Sequence, residues 1–263
     1  MAYAQAIAAD FPREDSLCEA CGYPLRGVST DACPECGAAV ADSSPTRRTG
    51  LPWQRRWRLS SYVATVAAMA TSPRWAFGRM SLGDPAWNGR LFLLANACVA
   101  GGVWLGLDLV WTARHAFWAW AVAMATVKAV IVLTYLEVLG LSFFCKRRGW
   151  RMPLARAERV GCYASVGWVP AVALLAGVHA LEQRGWLSGL WSGVASPLGA
   201  RAIELGMLTA AAGIAMLWFE WLSWLGARRV RFANVAEPAT PLSPGAADGG
   251  APQIRETPRR HGV

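Results

Sequence analysis

The chain has 263 residues, 54% hydrophobic and 16% charged, with a formal net charge of +9. Soluble domains carry nearer a quarter charged residues, so an ordinary soluble protein is excluded. A positive excess of this size is also a mark of nucleic-acid binding, but here the basic residues cluster beside long apolar runs and point to a membrane.

Residues 1–14 read as a flexible N-terminus with no basic start and no sustained apolar core, so no cleavable leader is expected. Residues 15–40 hold two C-x-x-C-G turns, Cys18-Glu-Ala-Cys21-Gly22 and Cys33-Pro-Glu-Cys36-Gly37. In such a turn both thiolates point to one side, and glycine takes the positive φ that follows. Two turns supply four sulfurs, the ligand set of a closed structural Zn²⁺ site, one ion per chain. Iron in a four-cysteine site is the rival. So short a segment cannot bury enough apolar surface to fold alone, and metal binding is expected to supply the missing free energy. The other cysteines, Cys98, Cys145 and Cys162, stand singly in or beside apolar runs, so no disulfide framework is expected.

Residues 41–52 read as a linker rich in Ser, Pro, Thr and Gly. The 53–90 segment opens with Trp53 and Trp57 one helical turn apart among Arg55, Arg56 and Arg58. That is the composition of a helix at a membrane interface, with its arginines toward acidic headgroups; an amphipathic helix packed on a bundle fits equally. Pro73 ends it, and Asp84-Pro85 starts the next helix as N-cap and first turn.

Residues 91–225 form the membrane block, with apolar runs at 91–111, 116–144, 160–181 and 203–225. A bilayer-crossing helix needs about 20 mostly apolar residues, and each run meets that. The second run is too short for two spans, so one tilted or protruding helix is expected. Pro170 is expected to bend the third. The tail at 226–263 is Pro-, Ala- and Gly-rich and reads as disordered. The predicted fold class is an all-α membrane protein, a four-helix transmembrane bundle with a small N-terminal cytoplasmic zinc ribbon.

Orientation follows from the positive charges. Arg79, Arg90, Lys146, Arg147, Arg148, Arg151, Arg228 and Arg229 crowd one set of loops, while the opposite loops hold only Arg114, Arg184 and Arg201. The implied placement is multi-pass in a membrane, with both termini cytoplasmic.

Ionisable groups inside membranes are costly and by default suggest function. Asp108, Lys128, Glu137 and Glu220 fall in or at the ends of spans. Lys128 lies nearest the midplane, and a tie to Asp108 on the first span is its expected partner. Glu137 and Glu220 lie at similar depths toward the cytoplasm; facing each other they would share a proton or cation, whereas singly each would snorkel. Asp108, His179 and Glu204 converge near the outer end. Gly102 and Gly106 offer a G-x-x-x-G face for helix packing, within the monomer or in a homo-oligomer. Cys145 beside Lys146–Arg148 is a candidate for acylation. No phosphate loop, nucleophile elbow or metalloprotease motif is present.

Cys18–Gly27 (CEACGYPLRG) and Cys33–Gly37 (CPECG) resemble the short N-terminal zinc ribbon of bacterial multi-pass membrane proteins. On that resemblance Cys18, Cys21, Cys33 and Cys36 are the ligands. The helical part is similar to the Yip family, whose basic, Pro-containing segment (here Ser72–Phe77) leads into a bundle; those proteins have five spans and four are counted here. The function these readings imply is non-enzymatic: presentation of a cytoplasmic zinc ribbon as an interaction module, with a protein partner favoured over nucleic acid. The alternative is a small transporter or ion-coupled carrier using the intramembrane carboxylates.

Overall fold

The structure, a computed structural model, describes residues 16–111, 116–185 and 197–234. The expected flexible N-terminus, the outer-loop Arg114, the Arg201 and Glu204 side chains and the tail beyond residue 234 lie outside the described residues.

Helices α1 (Pro52–Arg55), α2 (Leu59–Thr71) and α3 (Pro73–Arg79) precede the long helices α4 (Ala86–Trp111) and α5 (Ala116–Arg147). Then come α6 (Leu154–Ala164), α7 (Trp168–Gln183) and α8 (Pro197–Val230). Among the described residues there is no strand, only two isolated bridges. Four stretches, Ala86–Val110, Phe117–Arg147, Leu154–Gln183 and Leu205–Val230, are long and apolar enough to cross a membrane. The chain is therefore all-α, with four long apolar helices and a cysteine cluster at its N-terminal end.

Several boundaries run past the apolar limits read from sequence. Helix α5 continues to Arg147, with Lys146 and Arg147 in its last turn, where cations complement the negative end of the helix. Gly149, at φ 72°, turns the chain away. Helix α8 likewise continues to Val230 through Arg228 and Arg229, well into the stretch expected to be tail. The third span begins at Leu154, after Pro153. It is interrupted by a 3-10 turn at Ser165–Gly167, just ahead of Pro170, whose ring cannot accept the carbonyl of residue 166 into a regular helix.

Bundle contacts are made where glycine lets backbones approach, as suits helices in lipid. A Cβ on Gly101 would stand 2.8 Å from Val127 Cγ2 and 3.0 Å from the Ala123 carbonyl, so Gly101 seats α4 on α5. Gly102 and Gly106 have nothing within 4 Å and face outward. On α8, Gly226 admits Phe77 of α3 and Val160 of α6, each with an atom 2.7 Å from where a Cβ would be. Polar side chains add ties: Tyr62 Oη donates to Asn96 Oδ1 at 2.7 Å, and Asn96 Nδ2 donates to Ser165 Oγ at 2.9 Å. Trp168 Nε1 donates to Thr134 Oγ1 at 3.0 Å.

The segment read as one helix from Trp53 is broken at residues 56–58, where Arg56 and Arg58 are extended. The break folds α1 back on α2, so that Thr65 Oγ1 accepts from the Trp53 N–H at 3.0 Å. Thr65 and Met69 are buried against the bundle, while Leu59 and Val63 point outward, 79% and 57% exposed. The segment is thus packed on the bundle and still offers an apolar edge.

Candidate metal centre

The two cysteine turns have the same backbone design. In the first, Gly22 N–H donates to the Cys18 carbonyl at 2.8 Å, Cys18 N–H donates to the Tyr23 carbonyl at 2.8 Å, and Leu17 bridges to Pro24. In the second, Gly37 N–H donates to the Cys33 carbonyl at 2.9 Å, Cys33 N–H donates to the Ala38 carbonyl at 2.8 Å, and Ala32 bridges to Ala39. Gly22 and Gly37 sit at φ 83° and 72°, a region that suits glycine alone among ordinary residues. Leu25 and Val40, with the cysteines, make the small core.

This pairing gathers all four sulfurs within 4.8 Å of one another. Cys18 Sγ lies 3.6 Å from Cys36 Sγ, and Cys21 Sγ 3.7 Å from Cys33 Sγ. These distances are far from the roughly 2.05 Å of a disulfide, and no disulfide joins the cysteines. A sulfur-only set of this size can hold a thiophilic metal ion. Burial pushes the Cys21 thiol up to about 12. At Cys33 burial acts the same way but is outweighed by the backbone N–H groups of Cys36 and Glu35 and by neighbouring thiols, which bring it down to about 7. A cation among the sulfurs would favour all four thiolates.

The centre is fastened to the end of the bundle by residues that the sequence gave no reason to single out. Asn234, just past α8, accepts from the Leu17 N–H at 3.0 Å and donates to the carbonyls of Leu17 and Ser43, each at 2.8 Å. Arg231 donates to the Ala20 carbonyl at 2.6 Å, and the Phe232 ring lies against Gly22, where a Cβ would meet it at 2.8 Å. Buried Arg48 pairs with Glu19 at 2.8 Å and also donates to the carbonyls of Phe77 and Arg229. Arg156 donates to the Val230 carbonyl at 3.3 Å. The last carbonyls of a helix have no intrahelical partner, so two guanidinium groups close the C-terminal end of α8, where positive charge is also electrostatically favoured. The stretch read as a linker is accordingly structured, with 3-10 turns at Val40–Ser43 and Pro45–Arg47, and Arg48 and Leu51 buried.

The remaining candidate residues are placed separately. Lys128 is exposed on an outward face of α5 with Met124 and Val132, whereas Asp108 is buried. Among the described residues no ion pair joins Lys128 to Asp108, so the expected tie is not seen. His179 stacks on Trp104 at 5.7 Å and pairs with Glu182 at 3.7 Å, while the Glu204 side chain of the expected outer Asp–His–Glu group lies outside the described residues. Glu137 on α5 is half-buried and Glu220 on α8 is exposed, and the two helices that carry them touch. Cys145 is fully buried, which removes it as an acylation site, and Cys162 is buried too. The chain matches no family model, so neither the zinc-ribbon nor the Yip resemblance gains support there, and no curated protein or solved structure matches it.

Proposed function

We propose that the protein is a non-enzymatic, multi-pass protein of the bacterial inner membrane. Cys18, Cys21, Cys33 and Cys36 hold one structural Zn²⁺, and the ribbon so formed is presented on the cytoplasmic side as an interaction module for a protein partner. Zinc fits the donor set, since a tetrahedral Zn–S distance of about 2.3 Å gives sulfur–sulfur edges of about 3.8 Å, close to the 3.6 and 3.7 Å found. Bound there, the ion would neutralise thiolate charge and lock the two turns together; its role is structural.

The observation that carries the interaction reading is an asymmetry between two equivalent turns. The first is covered by Arg231, Phe232 and Asn234. In the second, Pro34, Glu35 and Cys36 are exposed, and among the described residues nothing comes within 4 Å of the Cβ position on Gly37. The backbone that receives an aromatic ring at Gly22 is thus repeated at Gly37 with its surface open. The orientation rests on the arginines and lysine gathered at the ribbon's end of the bundle, Arg79, Lys146, Arg147, Arg148, Arg151, Arg228 and Arg229, by the positive-inside rule.

The test is metal analysis of the purified full chain together with a photo-crosslinker at Glu35 in native membranes. One Zn²⁺ per chain and a defined crosslinked protein, both lost in Cys33→Ser, are expected. Bound iron would replace the zinc assignment, and a Glu35 crosslink unaffected by Cys33→Ser would overturn the metal-dependent module.

A second reading rests on Glu137 of α5 and Glu220 of α8, carboxylates carried by two helices that touch, that of a small ion-coupled carrier in which the two share a proton or cation. Proton flux in proteoliposomes that disappears in Glu137→Gln and Glu220→Gln would establish it, and flux equal to empty vesicles would dismiss it.

A further inference from the structure

At the ribbon's end of the bundle, α3 leans on α8 and leaves a cleft of about 340 Å³ lined by Arg74, Trp221, Trp224, Leu225, Arg228 and Arg229. Two glycines set its shape. Gly226 lets Phe77 of α3 sit directly on α8, and Gly78 of α3 lies under the Arg229 guanidinium, whose Nε would be 3.0 Å from a Cβ there. Arg74, one turn before Phe77 and Gly78, is thereby brought beside α8. Trp224 is itself stacked on Trp150 at 5.1 Å, with the Arg148 guanidinium 4.9 Å from its ring centre.

The lining is graded along the helix. Trp221 and Leu225 lie deeper, and Arg228 and Arg229 lie toward the end of α8. Arg228 lies seven residues beyond Trp221, about 10 Å of helix rise, enough to cross the roughly 5–7 Å of headgroup region at one face of a bilayer and reach the acyl boundary. Arg74, Arg228 and Arg229 all line the one opening, and a guanidinium group can bind phosphate oxygens in a bidentate manner. The nearest acidic side chain along α8 is Glu220, exposed and one residue deeper than Trp221. We propose that this cleft binds the headgroup phosphate of an anionic phospholipid, with Arg74, Arg228 and Arg229 holding the phosphate and Trp221 and Leu225 lying along the glycerol and upper acyl chain. The proposal rests on the membrane placement of the four helices and is independent of which metal the cysteines hold.

The test uses the full-length protein in neutral detergent, with added phosphatidylglycerol or phosphatidylcholine and lipid retention read by native mass spectrometry. Wild type should retain phosphatidylglycerol in preference. Each basic residue near the surface contributes about fivefold to attraction of an anionic lipid, so Arg74→Gln/Arg228→Gln/Arg229→Gln should lose about 100-fold in phosphatidylglycerol retention, with phosphatidylcholine unchanged. The charge-matched control Arg26→Gln/Lys146→Gln/Arg147→Gln should stay close to wild type. Helical circular dichroism identifies a variant that fails to fold; the Lys triple at 74, 228 and 229, which keeps the charge, should then retain the preference, and its failure to do so while folded counts against the site. Equal losses in the two Gln triples would reduce the effect to diffuse attraction and overturn the proposal. Displacement of phosphatidylglycerol by inorganic phosphate would do so as well, by making the ligand free phosphate. Failure of the protein to float with liposomes would instead refute the membrane placement.

Discussion

Asn234→Ala is the change that most directly tests how the cysteine centre is held. The Asn234 side chain makes three hydrogen bonds to Leu17 and Ser43, one accepted and two donated. At a net contribution of about 1 kcal/mol each, their loss should weaken docking by about 3 kcal/mol, or about 150-fold in the equilibrium between docked and free ribbon. Asn234→Asp is the sharper version, because it keeps the acceptor for Leu17 N–H but sets oxygen against two carbonyls. Hydrogen–deuterium exchange on the full chain in detergent gives the readout, followed at residues 16–43 and, as an internal reference, along α5. Ribbon amides should exchange markedly faster in both variants while α5 is unchanged and bound metal is retained. Protection at residues 16–43 equal to wild type in Asn234→Ala would refute the docking geometry.

Four other outcomes are expected. Removing one partner of the buried Glu19–Arg48 pair should cost more than removing both, about 3–5 kcal/mol for the Arg48→Met or Glu19→Gln single change if the survivor is left uncompensated; thermal unfolding of the two singles and the double decides it, and additive losses would show no coupling. Gly226→Ala places a Cβ 2.7 Å from Phe77 and Val160 atoms and should destabilise by about 1–3 kcal/mol, whereas Gly102→Ala, with open space around it, should be neutral in the same melt. Chelation of the purified full chain should accelerate exchange across residues 16–43, and Cys98→Ser should leave metal content unchanged, since Cys98 is exposed on α4 and away from the cluster. Reporter fusions at residues 40, 152 and 240 should all report the cytoplasm and one near Gly189 the far side; a reporter at 152 on the far side would refute the span order.

The features legible in the sequence were those set by local chemistry. Apolar length alone announces a spanning helix, and the C-x-x-C-G repeats define a ligand set through backbone geometry that is local to each turn. What the sequence did not disclose is long-range. Asn234 meets Leu17 across 217 residues, and nothing in the composition around a single asparagine in a polar tail marks it as a docking residue. Arg48 reads as one more charge in a linker, yet its partners come from the ribbon, α3 and α8. The glycine pattern misled for a related reason. Gly102 and Gly106 carry the recognisable spacing, but the facing helix determines which glycine is used, and Gly101 meets Val127 and Ala123. Lys128 shows the same limit: sequence gives its depth, and only packing gives its face.

The fastening of the ribbon by Arg231, Phe232 and Asn234 also imposes an order on biogenesis. The cysteine turns are synthesised ahead of the four apolar helices, and their own hydrogen bonds are internal, such as Cys18 to Tyr23 and Cys33 to Ala38. Their anchors are separated from them by 191 to 217 residues and cannot exist until all four apolar helices have left the ribosome. A translating chain therefore carries the ribbon without these anchors until the fourth span has been made, and Arg231, Phe232 and Asn234 complete the seat of its first turn. A chain truncated at residue 230 would have every span and all four ribbon cysteines, but in place of those three anchors its first turn would be left with the Glu19–Arg48 pair and Arg48's bonds to Phe77 and Arg229.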